Sequence, residues 1–192
     1  VALLDTTKIT WSNCTPETVK DFSAVGYFFG TQLTNVLHCP IGIISCNYGG
    51  SRTEGWTPRE LAATYPGLDL SDSTLSRLDA QLPIILYNGM FHPIVGYSVK
   101  GFIWYQGEGN VENYDDYATR LHHMILRWRQ EFGQGNLPFL AVEIAPCSIY
   151  KGRASGRASR LREAQWTVFH NTPNTGMICT NDLVRPDEQL QV

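Results

Sequence analysis

The chain has 192 residues, a length typical of one domain, and 43% of them are hydrophobic, which excludes a disordered chain. A formal net charge of −3 excludes the basic face with which proteins bind nucleic acids, and no apolar run approaches the roughly 20 residues of a membrane span. The five cysteines include no Cys-x-x-Cys pair and therefore predict no structural zinc site.

The first part of the chain predicts a helix, a strand and a turn. Apolar residues recur every three or four positions over residues 22–36, which indicates a helix. Residues 40–46 form a short apolar run before Gly49 and Gly50, as expected for a buried strand that ends in a turn. A further helix is considered over residues 75–86, with Pro83 starting a turn or kinking the helix.

The rest of the chain alternates strands with helices. Strands are predicted over residues 101–105, 138–145 and 176–180, and helices over residues 114–132 and 161–168. The strand runs are continuously apolar, which is typical of parallel strands buried on both faces. The repeated strand–helix–strand units therefore predict an α/β fold, with a parallel sheet covered by helices on both faces.

Ligands in such folds bind beyond the carboxyl ends of the strands, so the residues there are the candidates for a site. Gly49 and Gly50 could turn backbone amides toward a substrate oxygen, and a plain tight turn is the alternative. Gln106 and Glu108 could donate to an oxyanion or orient a histidine, and solvated loop residues are the alternative. Ser51 has the context nearest to a nucleophile, although no Gly-x-Ser-x-Gly elbow occurs.

Residues 107–112 nearly match a dinucleotide-binding fingerprint, because they follow a strand and precede a helix. Glu112 stands where the third glycine should be, and Glu108 and Glu112 would place negative charge beside a pyrophosphate. A nucleotide-binding α/β domain is therefore kept only as an alternative.

The histidines show no metal-binding pattern. His122 and His123 are neighbours on a predicted helix, where their side chains point about 100° apart and do not converge. His92 lies in a loop before Pro93 and could touch a substrate, with a structural hydrogen bond as the alternative. We expect neither a metal nor another cofactor.

Five motifs follow one another along nearly the whole chain. They are residues 40–56 with Gly49-Gly50 and Glu54-Gly55-Trp56, residues 86–93, residues 100–110 with Gln106-Gly107-Glu108-Gly109-Asn110, residues 161–165, and residues 182–188. Together the motifs resemble the sialate O-acetylesterase-like carbohydrate esterases of the SGNH-hydrolase superfamily.

This resemblance implies a three-layer α/β/α sandwich with a parallel sheet, of the flavodoxin-like SGNH-hydrolase type, as one domain over residues 1–192. It implies hydrolysis of O-acetyl groups from sugars such as sialic acids or xylan, by a serine nucleophile that a histidine activates and through an acyl-enzyme. An acetylated carbohydrate is the expected partner, without nucleic acid or membrane. The expected location is secreted, periplasmic or lysosomal.

The resemblance also assigns roles to residues. Gly49 or Gly50 matches the family's oxyanion glycine, while Gln106 and Glu108 match its Gln-Gly-Glu block as oxyanion donor and as partner of the triad histidine. The residues expected to bind substrate or support the pocket are Asn88, Trp56, Arg52 and His92.

Three features depart from the family pattern. The family's nucleophile lies in a Gly-Gln-Ser-Asn block that this chain does not contain, and its histidine lies in an Ile-His-Pro-like block expected after Val192. Gly109 replaces the serine that usually follows Gln-Gly-Glu. We therefore expect a domain incomplete at both ends, without its first strand and its C-terminal catalytic loop. A catalytically inactive, carbohydrate-binding protein of the same fold is the alternative.

Overall fold

The computed structural model describes residues 2–5, 10–146 and 156–183. Its contacts divide the chain into two compact units, Thr6–Asn47 and a larger unit of Val1–Asp5 with Tyr48–Val192, where one domain is predicted. No helix within the described ranges has both the length and the apolar character that crossing a bilayer requires.

The smaller unit contains helix α1, Ala24–Leu37, close to the predicted bounds. The helix begins after Ser23, whose hydroxyl accepts a hydrogen bond of 3.1 Å from the Gly26 N–H. It ends at His38, which adopts a left-handed conformation and donates its N–H to the Thr34 carbonyl at 2.9 Å. Ordinary capping therefore sets both ends of this helix.

Residues 40–46 form no strand in the structure, contrary to the prediction. The Ile43 side chain instead packs on α1, where a Cβ on Gly26 or Gly30 would come within 3.4 or 3.2 Å of it. A strand needs a hydrogen-bonded neighbour, and no described residue pairs with this segment. The apolar run therefore contacts a helix within its own unit.

Short elements precede the sheet in the larger unit. They are a 3-10 helix at Thr53–Trp56, α2 at Arg59–Ala62, α3 at Asp72–Leu75, a π-helical turn at Tyr87–Phe91 and a 3-10 turn at His92–Ile94. The helix considered over residues 75–86 is wrong for most of that length, because residues 76–84 form turns. Leu78 and Ile84 have φ values of +51° and +62°, which no right-handed helix contains.

A parallel sheet in the order β1-β2-β3 confirms the predicted strands of the larger unit. The strands are β1 at Phe102–Tyr105, β2 at Phe139–Val142 and β3 at Thr175–Ile178. Phe102 pairs with Phe139, and Phe139 pairs with Thr175. All three strands therefore end at the same edge of the sheet.

Helices α4 at Tyr117–Phe132 and α5 at Arg157–Asn171 connect the strands. The rings of Trp128 on α4 and Phe169 on α5 lie 6.0 and 6.1 Å from Phe139, so both helices cover the same face of the sheet. Right-handed crossovers that step in one direction produce this arrangement. Burial on both faces is not seen on β2, where Leu140 is 41% exposed.

Phe139 is the most enclosed aromatic residue of the sheet. We therefore expect a large loss of stability when its side chain is shortened. It is fully buried, and the Phe139→Ala change should lower the free energy of unfolding by about 3–5 kcal/mol because it leaves a cavity. Leu140→Ala, on the exposed side of the same strand, should cost about 1 kcal/mol or less. Chemical denaturation measures both, and equal losses would contradict this description of the core.

Candidate active site

Gln106, the first residue after β1, is the centre of a buried hydrogen-bond network. Its Nε2 donates to the Ser51 carbonyl at 2.9 Å and to Asn110 Oδ1 at 2.7 Å. Its Oε1 accepts from the hydroxyls of Thr53 and Tyr117 at 3.0 and 3.1 Å. Both hydrogens of the side-chain amide and both lone pairs of its oxygen are therefore used within the protein.

Asn110 extends this network to a buried ion pair. It is 1% exposed, and its Oδ1 accepts from the Thr53 N–H at 3.0 Å while its Nδ2 donates to Glu54 Oε2 at 3.0 Å. The Glu54 carboxylate pairs with the guanidinium of Arg120 on α4, and both residues are buried. The roles of Asn110, Glu54 and Arg120 are not predicted by the sequence motifs.

The backbone of Gln106 is held as firmly as its side chain. Gln165 on α5 is fully buried, donates from Nε2 to the Gln106 carbonyl at 2.9 Å, and accepts from the Ile144 N–H at 3.2 Å. The Tyr117 hydroxyl lies 3.2 Å from the same Gln106 carbonyl. Burial raises the pKa of Tyr117 well above its usual value, so the phenol remains a neutral donor.

Two glycine turns meet beside this network. We call residues 49–51 the first glycine turn and residues 107–109 the second. A Cβ on Gly109 would lie 2.7 Å from the Ser51 carbonyl oxygen, and a Cβ on Gly107 would lie 2.5 Å from Ile144 Cγ2. Gly50 has a φ of +70°, a conformation that favours glycine. The absence of a side chain at Gly109 thus allows backbone to contact backbone.

The close approach also weakens the dinucleotide interpretation. The space beside Gly107 is filled by Ile144 and Leu161, and that beside Gly109 by the first glycine turn. In a dinucleotide site, the second glycine lets the backbone approach a pyrophosphate. Here both glycines make room for other parts of the protein.

The predicted catalytic residues lie together at this edge of the sheet. Glu108 is half-buried at the start of the 3-10 helix Glu108–Asn113, and its carboxylate has no hydrogen bond or ion pair with any described residue. Gly49 and Gly50 are exposed, and their N–H groups donate to no described residue. The oxyanion role of Gln106 stays a prediction, and it requires release of one of its two donated bonds.

Two of the predicted substrate-binding residues are buried structural residues. Trp56 is 3% exposed, donates from Nε1 to Ser51 Oγ at 3.0 Å, and accepts from Trp128 Nε1 through its carbonyl at 3.1 Å. Asn88 is also 3% exposed, within the π-helical turn, and its carbonyl accepts from the Leu4 N–H at 3.0 Å. As oriented here, neither side chain is accessible to a sugar.

The other two predicted residues have different surroundings. His92 Nδ1 lies 3.0 Å from the Leu4 carbonyl, which matches the structural alternative given above. Arg52 lies next to the first glycine turn, is half-buried and lines a groove of about 440 Å³ together with Glu54 and Arg120. Arg52 therefore remains a substrate-binding candidate with access to open space.

No serine–histidine pair occurs among the described residues. Ser51 is 5% exposed, and its hydroxyl accepts from Trp56. His122 Nδ1 lies 2.9 Å from the Thr172 hydroxyl, and His123 stacks on Tyr65 with the ring centroids 6.1 Å apart. In the same part of the chain, no three His, Cys, Asp or Glu side chains group as metal ligands would.

Comparison with known proteins gives consistent matches. A family model for "Carbohydrate esterase, sialic acid-specific acetylesterase" matches residues 8–191. The sialate O-acetylesterases of Homo sapiens and Pongo abelii are each 31% identical over 181 residues, which cover 87% of this chain and 34% of the relative. The Rattus norvegicus protein of that name is 30% identical over 218 residues, which cover 92% of this chain and 40% of the relative.

A solved structure also matches. The crystal structure of a carbohydrate acetylesterase from Xanthomonas citri superposes with a TM-score of 0.83 at 34% sequence identity. The match covers 97% of this chain and 41% of the other. This chain thus spans about a third of the length of the first curated relatives it matches.

The contact between the two glycine turns predicts that Gly109 tolerates no side chain. Gly109→Ala would place a Cβ 2.7 Å from the Ser51 carbonyl, and such overpacking should cost about 1–3 kcal/mol of unfolding free energy. Gly89→Ala is the matched control, because a Cβ there meets nothing within 4 Å. Denaturant unfolding compares the two, and an unaffected Gly109→Ala protein would mean that the turns do not touch.

Proposed function

The chain belongs to the sialic acid-specific acetylesterase family of carbohydrate esterases, and from this membership we propose that it forms part of an enzyme that hydrolyses O-acetyl esters of sugars. The proposed substrates are acetylated sugars of the sialic acid or xylan type, and the proposed location is outside the cytoplasm. The observation that carries the proposal is the Glu108 carboxylate, which no described residue binds, beside two glycine turns held together at the carboxyl edge of the sheet.

The proposed reaction is acyl transfer through a serine. A histidine removes the serine proton as the hydroxyl attacks the acetyl carbonyl, and then gives that proton to the departing sugar oxygen. Water next attacks the acetyl-enzyme, the histidine again moves the proton, and acetate leaves. We assign both reacting side chains to parts of the parent protein beyond these residues, because no described serine and histidine are paired and the chain spans about a third of its curated relatives.

This chain then contributes the groups that surround the reacting atoms. The Glu108 carboxylate accepts the Nδ1–H of the histidine, which fixes the tautomer and stabilises the imidazolium. The N–H groups of Gly49 and Gly50, which donate to no residue in the described part of the chain, are proposed to donate to the oxyanion of the tetrahedral intermediate. Arg52 is proposed to contact the sugar from the groove that it lines.

One other function has support from the structure. A protein of this fold that binds sugars without hydrolysing them needs neither nucleophile nor base. The lack of a paired serine and histidine among the described residues fits such a protein. Acetate release by the full-length protein separates the two functions directly.

Replacement of Glu108 tests its proposed role. In the full-length protein, Glu108→Ala should lower kcat for acetate release from an O-acetylated sugar by about 100-fold or more, with a smaller change in KM. Glu60→Ala, an exposed carboxylate on α2, should leave both constants within about twofold. An unchanged kcat for Glu108→Ala removes Glu108 from the mechanism. Sugar binding without acetate release by the wild type favours the non-catalytic function.

The 192-residue chain by itself should not hydrolyse p-nitrophenyl acetate, because none of its described serines is paired with a histidine that could activate it. A spectrophotometric assay against the full-length protein, with mass spectrometry of the chain after incubation, measures this. Stoichiometric acetylation of Ser51 would show that the nucleophile has been placed in the wrong part of the protein.

A further inference from the structure

A continuous, buried series of hydrogen-bonded polar side chains connects α4 to both glycine turns. Arg120, Glu54 and Asn110 are 6%, 2% and 1% exposed. The Arg120 guanidinium pairs with Glu54, Glu54 Oε2 accepts from Asn110 Nδ2 at 3.0 Å, and Asn110 Oδ1 accepts from Gln106 Nε2 at 2.7 Å. Gln106 in turn donates to the Ser51 carbonyl at 2.9 Å.

Each hydrogen bond in this series can run in only one direction, from a fixed donor to a fixed acceptor. A carboxylate only accepts hydrogen bonds, so Asn110 must turn its Nδ2 toward Glu54 and its Oδ1 toward the Thr53 N–H and the Gln106 amide. Gln106 must then present its Nε2 to Asn110 and Ser51. The Arg120 guanidinium, which can only donate, binds the same Glu54 carboxylate. The buried Arg120–Glu54 pair therefore lies at one end of a series of hydrogen bonds in which each amide has a single orientation, and Ser51 of the first glycine turn lies at the other end.

A contribution to stability alone does not explain this buried ion pair and its series of hydrogen bonds. Removing an ion pair from water costs several kcal/mol per ion, and apolar side chains of similar volume often stabilise a core equally well or better. Arg120 also forms an ion pair of 2.8 Å with the more exposed Asp116. What apolar residues could not provide is a fixed direction for the Gln106 amide and the Ser51 carbonyl.

We propose that Arg120, Glu54 and Asn110 are positioning residues for the candidate active site: through Gln106 they hold the first glycine turn, with its free N–H groups, in register with Glu108. This inference rests on the proposed function and deepens it. None of the three residues is assigned a contact with the substrate.

Arg129 provides a matched control on the same helix. It is 4% exposed and donates to the carbonyls of Leu137 and Asn174, each at 2.9 Å, at the end of α4 opposite to Arg120. Its loss therefore removes a buried cation and its hydrogen bonds without touching either glycine turn.

The test compares Arg120→Met with Arg129→Met in the full-length protein, at a temperature where both are folded. Arg120→Met should lower kcat for acetate release by about 10- to 100-fold with KM within about threefold, because the reacting groups are misplaced by a fraction of an ångström to about 1 Å. Arg129→Met should keep kcat within about twofold, although its Tm falls. Equal kcat in the two variants overturns the proposal.

A rescue variant distinguishes the effect of Arg120 on the orientation of the hydrogen bonds from the effect of its side-chain packing. Arg120→Met leaves Glu54 buried without its cation, whereas Glu54→Gln combined with Arg120→Met removes both charges and keeps an oxygen that accepts from Asn110. The double variant should regain at least about fivefold in kcat over Arg120→Met alone. If the double variant shows no recovery of kcat, the proposal is overturned. Where Arg120→Met does not fold, the neutral variant Arg120→Gln replaces it, and an unchanged kcat for that variant also overturns the proposal.

Hydrogen exchange provides a readout that does not depend on activity. Amides in the peptide covering residues 49–53 should exchange at least about tenfold faster in Arg120→Met than in Arg129→Met, since the Thr53 N–H and the Ser51 carbonyl lose their fixed partners. Equal exchange rates overturn the proposal. A wild type that releases no acetate counts against the proposed function, while the exchange rates still decide the positioning role.

Discussion

The Ser51 carbonyl oxygen lies 2.7 Å from the place that a Cβ would take on Gly109, so the two glycine turns meet backbone to backbone. A side chain at that position would separate the first glycine turn from the end of β1, and the bond from Gln106 Nε2 to the Ser51 carbonyl would be lost with it. The glycine at position 109 is thus matched to this contact. The free N–H groups and the Glu108 carboxylate share one edge because this approach is possible.

The sheet topology explains why so many polar groups can be buried there. The carboxyl ends of β1 and β2 are neighbours, and α5 returns across them with the fully buried Gln165. That one side chain bonds the Gln106 carbonyl and the Ile144 N–H, the backbone groups that the two strands leave unpaired as they end. A buried amide is tolerated because each of these bonds is made, whereas an unmade one would cost about 1–3 kcal/mol.

Local patterns predicted what depends on local sequence. The apolar runs placed three strands, the three-and-four spacing placed α4 with its glycine end, and the glycine motifs placed the edge where polar groups meet. The same reasoning failed at residues 40–46, since an apolar run does not say whether a helix or a strand will contact it. The pair of Glu54 and Arg120 could not be found in this way, because 66 positions separate residues whose contact exists only in the folded chain. For Trp56 the sequence left both a structural and a pocket role open, and in the structure its Nε1 donates to Ser51 Oγ from within the core.

The distribution of hydrogen bonds separates groups that hold the site from groups with capacity to react. Gln106, Asn110 and Gln165 each donate to and accept from protein atoms through their side-chain amides, so a change at any of them propagates to its neighbours. Glu108 lies among these residues with a carboxylate that no described residue binds. A carboxylate beside a hydrogen-bonded network, but not part of it, can accept a hydrogen bond from a new donor without breaking an existing one. The rigid network spares it the reorganisation that a flexible loop would require. This contrast, more than the burial of any one residue, supports the proposed role of Glu108 as the carboxylate that accepts from a histidine.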